Sequence, residues 1–122
     1  QHEYIHILNQ TKPFDEQTYG QITPEGYTAQ WFNETTANSR TAGFITSYAR
    51  ASEGEDFAEM ASTILEMSRT EWDALVNGIA EPGRSKIRKK EQLVVDYYKS
   101  EYDIDLYALQ ESVYKAMLKL LE

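Results

Sequence analysis

The sequence predicts a mainly α-helical domain. Apolar side chains recur every three or four residues in two long segments, 54–69 and 105–121, and this spacing places them on one face of a helix. The Glu81-Pro82-Gly83 break separates the helices on either side of it. With 122 residues, the chain is long enough for one compact domain and too short for two of ordinary size. We therefore treat 1–122 as a single domain.

The elements follow from these patterns in chain order. Helices are predicted at 1–9, 54–69, 71–78, 85–101 and 105–121, with one or two helical turns at 35–41. Asp105 is the expected N-cap of the last helix. The aromatic-rich segment 11–34 carries several turn signals and is predicted to be an ordered connection with little regular structure. The apolar run 43–49 contains Ile45 and Thr46, so it is predicted to be extended.

Composition narrows the possible partners. The formal net charge is −8 and the pI about 4.8, which argues against a nucleic-acid partner because phosphate contacts require a basic surface. No apolar run approaches the roughly 18 residues that a membrane span needs. The basic run at 84–90 is predicted to be a solvated helix face.

Two histidines flank a glutamate at the start of the chain, in the order His2-Glu3-Tyr4-Ile5-His6. Residues four apart lie on the same face of a helix, so His2 and His6 can reach one metal ion together. Glu3 can lie beside that ion without binding it, where it can exchange a proton with a water molecule. This H-E-x-x-H pattern indicates a zinc site with Glu3 as the catalytic base.

A catalytic zinc site needs a third protein ligand. The chain has no cysteine and no histidine besides these two, so the third ligand must be a carboxylate. The best candidate lies in the block 55–59, because Glu55 and Glu59 lie four residues apart on one face of a predicted helix. One of the two carboxylates can bind zinc while the other orients a ligand histidine.

The block Glu55-Asp56-Phe57-Ala58-Glu59 resembles the E-x-F-A-E helix of the gluzincins related to anthrax lethal factor and the Pro-Pro endopeptidases. This resemblance implies that Glu55 binds zinc and that Glu59 supports the site. It also implies that a tyrosine seven residues before the zinc glutamate stabilises the transition state, and Tyr48 occupies that position.

A wider resemblance covers most of residues 1–68. The stretches 2–13, 43–49 and 55–59 resemble a family of zinc-binding metallopeptidases among envelope lipoproteins, often named substrate-import-associated zinc metallohydrolases. The family implies a location in the cell envelope, an outer-membrane lipoprotein or extracellular-facing position, and a possible association with an outer-membrane nutrient importer. The resemblance is weaker after residue 70.

Together these observations predict the C-terminal, ligand-bearing half of a zincin-like α+β metallopeptidase domain, with its N-terminal sheet expected before residue 1. Within it, 1–69 supplies the metal-site helices and their connections, and 70–122 supplies the C-terminal helices. The expected function is hydrolysis of a peptide or protein substrate with Zn²⁺. The alternative is a non-catalytic zinc-binding subunit of an importer. We expect the 122 residues alone to be inactive and to bind zinc weakly or not at all.

Overall fold

A computed structural model describes residues 2–121, and 71% of the chain is helical. None of residues 2–121 lies in a β-strand, which confirms the mainly α prediction. The α-helices are α1 (His2–Thr11), α2 (Glu16–Gly20), α3 (Thr36–Thr41), α4 (Glu53–Leu65), α5 (Arg69–Asn77), α6 (Gly83–Tyr102) and α7 (Leu106–Leu120). Short 3₁₀ helices occur at Trp31–Asn33 and Tyr48–Ala51. Within the described range, no helix is long and apolar enough to cross a membrane.

Helix α4 lies at the centre of the fold, where it packs against α1, α2, α6 and α7. Ser52 precedes it as the N-cap, because its side chain accepts a hydrogen bond from the Glu55 amide. Its buried face includes Phe57, which stacks on Phe14 with ring centroids 4.3 Å apart. Because the acidic first turn of α4 follows the cap directly, Glu55 lies at the edge of this core.

Tyrosines of α6 hold the C-terminal end of α1. The Tyr102 hydroxyl donates to the Leu8 carbonyl at 2.7 Å, and the Tyr97 hydroxyl donates to the carbonyls of Leu8 and Lys12. The Leu8 carbonyl also accepts from the Lys12 amide at 2.9 Å, so the tyrosine hydroxyls add side-chain hydrogen bonds that tie this end of α1 to α6. With Ile5 only 2% exposed, α1 is fixed at its centre and at one end.

The segment 43–49 is not extended, so that prediction was wrong. Gly43 adopts a φ of 101°, a left-handed conformation that favours glycine, and it ends α3. The Phe44 amide donates to the Ser39 carbonyl at 2.9 Å, which completes the turn. The turn at the end of α3 changes the direction of the chain, which continues into the Tyr48–Ala51 3₁₀ helix without forming a strand.

The prediction of a solvated basic face was wrong for Lys90. This side chain is fully buried, and its ammonium donates to the Asp56 carboxylate and the Gly43 carbonyl, each at 2.7 Å. Burial raises the pKa of Asp56 and lowers the pKa of Lys90, and the attraction between the two charges opposes both shifts. The pair joins α6, α4 and the turn at Gly43. The neighbouring Lys89 is exposed, as predicted.

Candidate metal centre

The packing of α1 on α4 brings the predicted metal ligands together. His2 Nε2 lies 2.8 Å from Glu55 Oε2, His6 Nε2 lies 2.9 Å from Glu55 Oε1, and the two Nε2 atoms are 2.9 Å apart. Helix α1 supplies both imidazoles from successive turns of one face, as the four-residue spacing requires. His2, His6 and Glu55 thus form a cluster whose ligand atoms could share one ion.

The donor set fits zinc. Tetrahedral zinc takes nitrogen and oxygen ligands at about 2.0–2.2 Å, which places neighbouring ligand atoms roughly 3.3–3.6 Å apart. The observed separations of 2.8–2.9 Å are about half an ångström shorter than this. Since the side chains of His2, His6 and Glu55 are 21–25% exposed, they have room to spread by that amount. Two imidazoles and one carboxylate also make a set that leaves a fourth position open.

Glu59 contacts His2 from the side away from the cluster. Its Oε2 lies 3.0 Å from His2 Nδ1, one turn of α4 beyond Glu55. A carboxylate at this position accepts the Nδ1 proton and leaves the Nε2 lone pair free for a metal. The structure therefore places Glu59 where it can orient His2. Its role in supporting the site stays a prediction.

Tyr48 reaches the cluster from the Tyr48–Ala51 3₁₀ helix. Its ring centroid lies 5.9 Å from that of His2, and the side chain is 37% exposed. A hydrogen bond to the Glu55 carboxylate raises the pKa of Tyr48. Burial and the negative charges of nearby glutamates raise this pKa further, by smaller amounts. Tyr48 is thus a protonated donor at neutral pH, with its hydroxyl directed to the cluster.

The hydrogen bond from Tyr48 also affects the pKa of the Glu55 carboxyl group. Burial by itself would raise the pKa of Glu55, but the hydrogen bonds from Tyr48 and His2 and the charges of His6 and His2 lower it overall. Glu55 is therefore ionised at neutral pH, which is the form that binds a metal.

Glu3 is exposed and lies at the rim of a cleft of about 360 Å³. His6 and Glu55 line the same cleft, so Glu3 shares an open cavity with two of the clustered residues. The remaining lining residues are Asn9, Gln10, Phe14, Glu16 and Gly54. The cleft gives a substrate access to the cluster from the side on which Glu3 lies.

Two residues near the cluster, Thr46 and Trp31, were not predicted to take part in the metal site. The Thr46 hydroxyl donates to Glu59 Oε1 at 2.8 Å, and the Trp31 ring meets the Tyr48 ring edge-on at 4.8 Å. Thr46 was interpreted only as a β-branched residue of a strand. No spacing rule relates either residue to the H-E-x-x-H motif, since Thr46 lies in a bend and Trp31 in a short 3₁₀ helix, and the course of both segments depends on the tertiary fold.

Comparison with known families defines the class of this chain. The sequence model of a family described as "Putative zinc-binding metallo-peptidase" matches residues 1–107. The chain belongs to this family, which confirms the resemblance of its sequence to zinc-binding metallopeptidases. At a coarse level, this supports a zinc metallopeptidase.

A solved structure has the same fold. The crystal structure of a "putative zinc-binding metallo-peptidase from Bacteroides caccae ATCC 43185" superposes with a TM-score of 0.87 at 30% sequence identity. The match covers 93% of this chain and 44% of that one, so the chain spans less than half the length of that protein. No curated protein matches the sequence.

Proposed function

We propose that this chain forms the zinc-binding, catalytic part of a gluzincin-type metallopeptidase. In this proposal His2, His6 and Glu55 hold the ion, and the chain's own H-E-x-x-H helix supplies the base. The observation that carries the proposal is the convergence of two imidazole nitrogens, 2.9 Å apart, on the Glu55 carboxylate, whose two oxygens each lie 2.8–2.9 Å from one of them, beside an open cleft. A set of three ligands with solvent access is typical of catalytic zinc rather than structural zinc.

The reaction follows from these positions. A bound zinc ion would supply the Lewis acid that makes a water molecule nucleophilic at neutral pH. Glu3, at the rim of the cleft, accepts the proton of the attacking water and transfers it to the amine of the departing peptide. Glu59 keeps the His2 imidazole oriented through its Nδ1 contact.

Tyr48 stabilises the negative charge that develops on the substrate carbonyl oxygen. Its phenol is protonated at neutral pH and lies beside Glu55, so it can donate a hydrogen bond to the oxygen that gains negative charge as the peptide carbonyl is attacked. The edge-on contact with Trp31 packs against the Tyr48 ring and restricts its movement. The phenol is therefore oriented before the substrate arrives, and preorganisation of this kind makes such donors effective.

Replacing the tyrosine isolates that hydrogen bond. We expect Tyr48→Phe in the full-length protein to retain zinc and to lose about 10²–10³ in kcat, the usual cost of one oxyanion donor. Peptide hydrolysis and metal content measured on the same preparation check this. Tyr114→Phe, a change on α7 outside the cluster, serves as the control and should leave kcat unaltered. A Tyr48→Phe variant with full activity would remove Tyr48 from the mechanism.

The proposed function has a direct test. Full-length protein, purified with zinc, should cleave an unstructured protein such as casein or a fluorogenic peptide library. A chelator should abolish cleavage, and added zinc should restore it. Cleavage that survives removal of the metal, or zinc-loaded protein that cleaves nothing in either assay, would contradict the proposal.

The location and partners are proposed on the resemblance alone. We propose that the full-length protein is a lipoprotein of the cell envelope that acts on peptides or proteins beside an outer-membrane nutrient importer. Fractionation of the native organism checks the location, and recovery of the protein with soluble cytoplasmic enzymes would refute it. The acidic charge of −8 supports the absence of a nucleic-acid partner.

A further inference from the structure

The Thr46 hydroxyl connects the clustered metal ligands with the turn that carries Tyr48. The Thr46 Oγ1 atom donates a hydrogen bond to Glu59 Oε1 at 2.8 Å and accepts one from the Ala49 amide at 3.1 Å. The first bond leads to the metal ligands through the Glu59–His2 contact. The second bond closes the turn that carries Tyr48.

The directions of these bonds are set by chemistry. A backbone amide can only donate, so Thr46 must accept from Ala49 and has its single proton left for the carboxylate. Glu59 therefore receives a proton donor on Oε1 and is held with Oε2 towards His2 Nδ1. A metal bound at Nε2 would require the His2 proton to lie on Nδ1, where Glu59 Oε2 is 3.0 Å away and can accept it.

We propose that Thr46 is a positioning residue for both the metal site and Tyr48. Through Glu59 it selects the His2 tautomer that can bind a metal through Nε2. Through the Ala49 amide it holds the 3₁₀ turn that directs the Tyr48 phenol to the cluster. The inference rests on the proposed zinc site, and it makes the orientation of the oxyanion donor and that of His2 depend on the same side chain.

The test compares Thr46→Val with Thr46→Ser in the full-length protein. Valine preserves the shape of threonine and removes both hydrogen bonds, whereas serine retains them. We expect Thr46→Val to weaken zinc affinity by about 10–100-fold, the usual effect of losing an outer-shell partner, and Thr46→Ser to stay close to wild type. Competition with a chromophoric chelator measures zinc affinity in each variant. Thr41→Val, which removes an exposed hydroxyl bonded within α3, serves as the control.

Two further readouts separate positioning from general stability. In metal-free protein, ¹⁵N NMR of the imidazoles should show His2 protonated at Nδ1 in wild type and in Thr46→Ser, and a mixture of tautomers in Thr46→Val. Hydrogen exchange of the Ala49 amide should be protected in the first two proteins and faster in the third. Circular dichroism checks that all three fold.

The outcomes are distinct. The inference is wrong if Thr46→Val has the zinc affinity and the His2 tautomer of wild type. It is also wrong if Thr46→Ser loses as much zinc affinity as Thr46→Val. If wild type itself binds no zinc, the proposed function fails, and the tautomer and exchange measurements on metal-free protein still decide the role of Thr46. Even if wild type binds no zinc, a wild-type His2 tautomer and a wild-type exchange rate of the Ala49 amide in metal-free Thr46→Val would overturn the proposed role of Thr46.

Discussion

Glu3→Gln is expected to abolish nearly all turnover while the zinc site stays intact. The substitution keeps the size of the side chain and removes the carboxylate that accepts and returns the proton. It leaves His2, His6 and Glu55 unchanged, because Glu3 has no place among the three clustered ligands. The loss of a general base costs about 10²–10⁴ in rate, so kcat should fall by that factor at unchanged zinc content. Peptide hydrolysis and zinc analysis on the same sample measure both quantities.

Glu16→Gln provides the matched control for Glu3→Gln. Glu16 is an exposed glutamate that lines the same cleft, so its substitution changes the local charge equally without removing the proposed base. It should reduce kcat only slightly. If Glu3→Gln retained normal turnover, or if the two variants lost activity equally, the base would have to be sought elsewhere.

Lys90→Met is expected to cause the largest loss of stability. The substitution leaves Asp56 buried without its cation, and removing one partner of a buried ion pair costs about 3–5 kcal/mol. Asp56 would retain only its hydrogen bonds from Tyr27, at 2.7 Å, and from Tyr19, at 3.4 Å. Denaturant unfolding at neutral pH measures the free energy of unfolding and should show this loss. Metal-free protein should be used so that zinc binding does not contribute to stability.

The loss of stability caused by Lys90→Met should increase as the pH rises. Burial raises the pKa of Asp56 in the folded state, so the folded protein holds this proton more tightly than the unfolded chain. A raised carboxyl pKa contributes stability at low pH and loses it as the pH increases through the folded-state value. Lys90→Met, without the opposing cation, should therefore lie nearer to wild type at pH 5 than at pH 8.

Two controls define the origin of this loss. Lys89→Met removes a neighbouring exposed ammonium from the same helix and should have little effect on stability. The double variant Asp56→Asn, Lys90→Met removes both charges and keeps a side-chain oxygen for the Tyr27 hydroxyl, so it should be more stable than Lys90→Met alone. Equal losses for Lys89→Met and Lys90→Met would show that the buried pair is not the cause.

The sequence predicted the helices that carry the candidate site because their patterns are local. The His2–His6 spacing and the Glu55–Glu59 spacing each define one face of a helix, and the structure brings those faces together. The apolar stripe of 54–69 predicted the buried face of α4, which runs from Glu53 to Leu65. Short-range periodicity of this kind follows from helix geometry alone.

Tertiary contacts account for what the sequence did not predict. Lys90 belongs to a basic run, and nothing in that run distinguishes the one lysine that faces Asp56 across the core. Segment 43–49 has the composition of a strand, but Gly43 ends α3 and turns the chain. Thr46 acquires its position only through that turn, so its contact with Glu59 depends on the whole fold.

The central claim is that His2, His6 and Glu55 hold one zinc ion with its fourth position open to solvent. A crystal structure of the zinc-loaded, full-length protein, with anomalous data collected at the zinc absorption edge, tests it most directly. We predict one anomalous peak bonded to His2 Nε2, His6 Nε2 and Glu55, with a solvent oxygen as the only other ligand. A fourth protein ligand that closes the site, or zinc bound away from these three side chains, would contradict the account and favour a structural role for the metal.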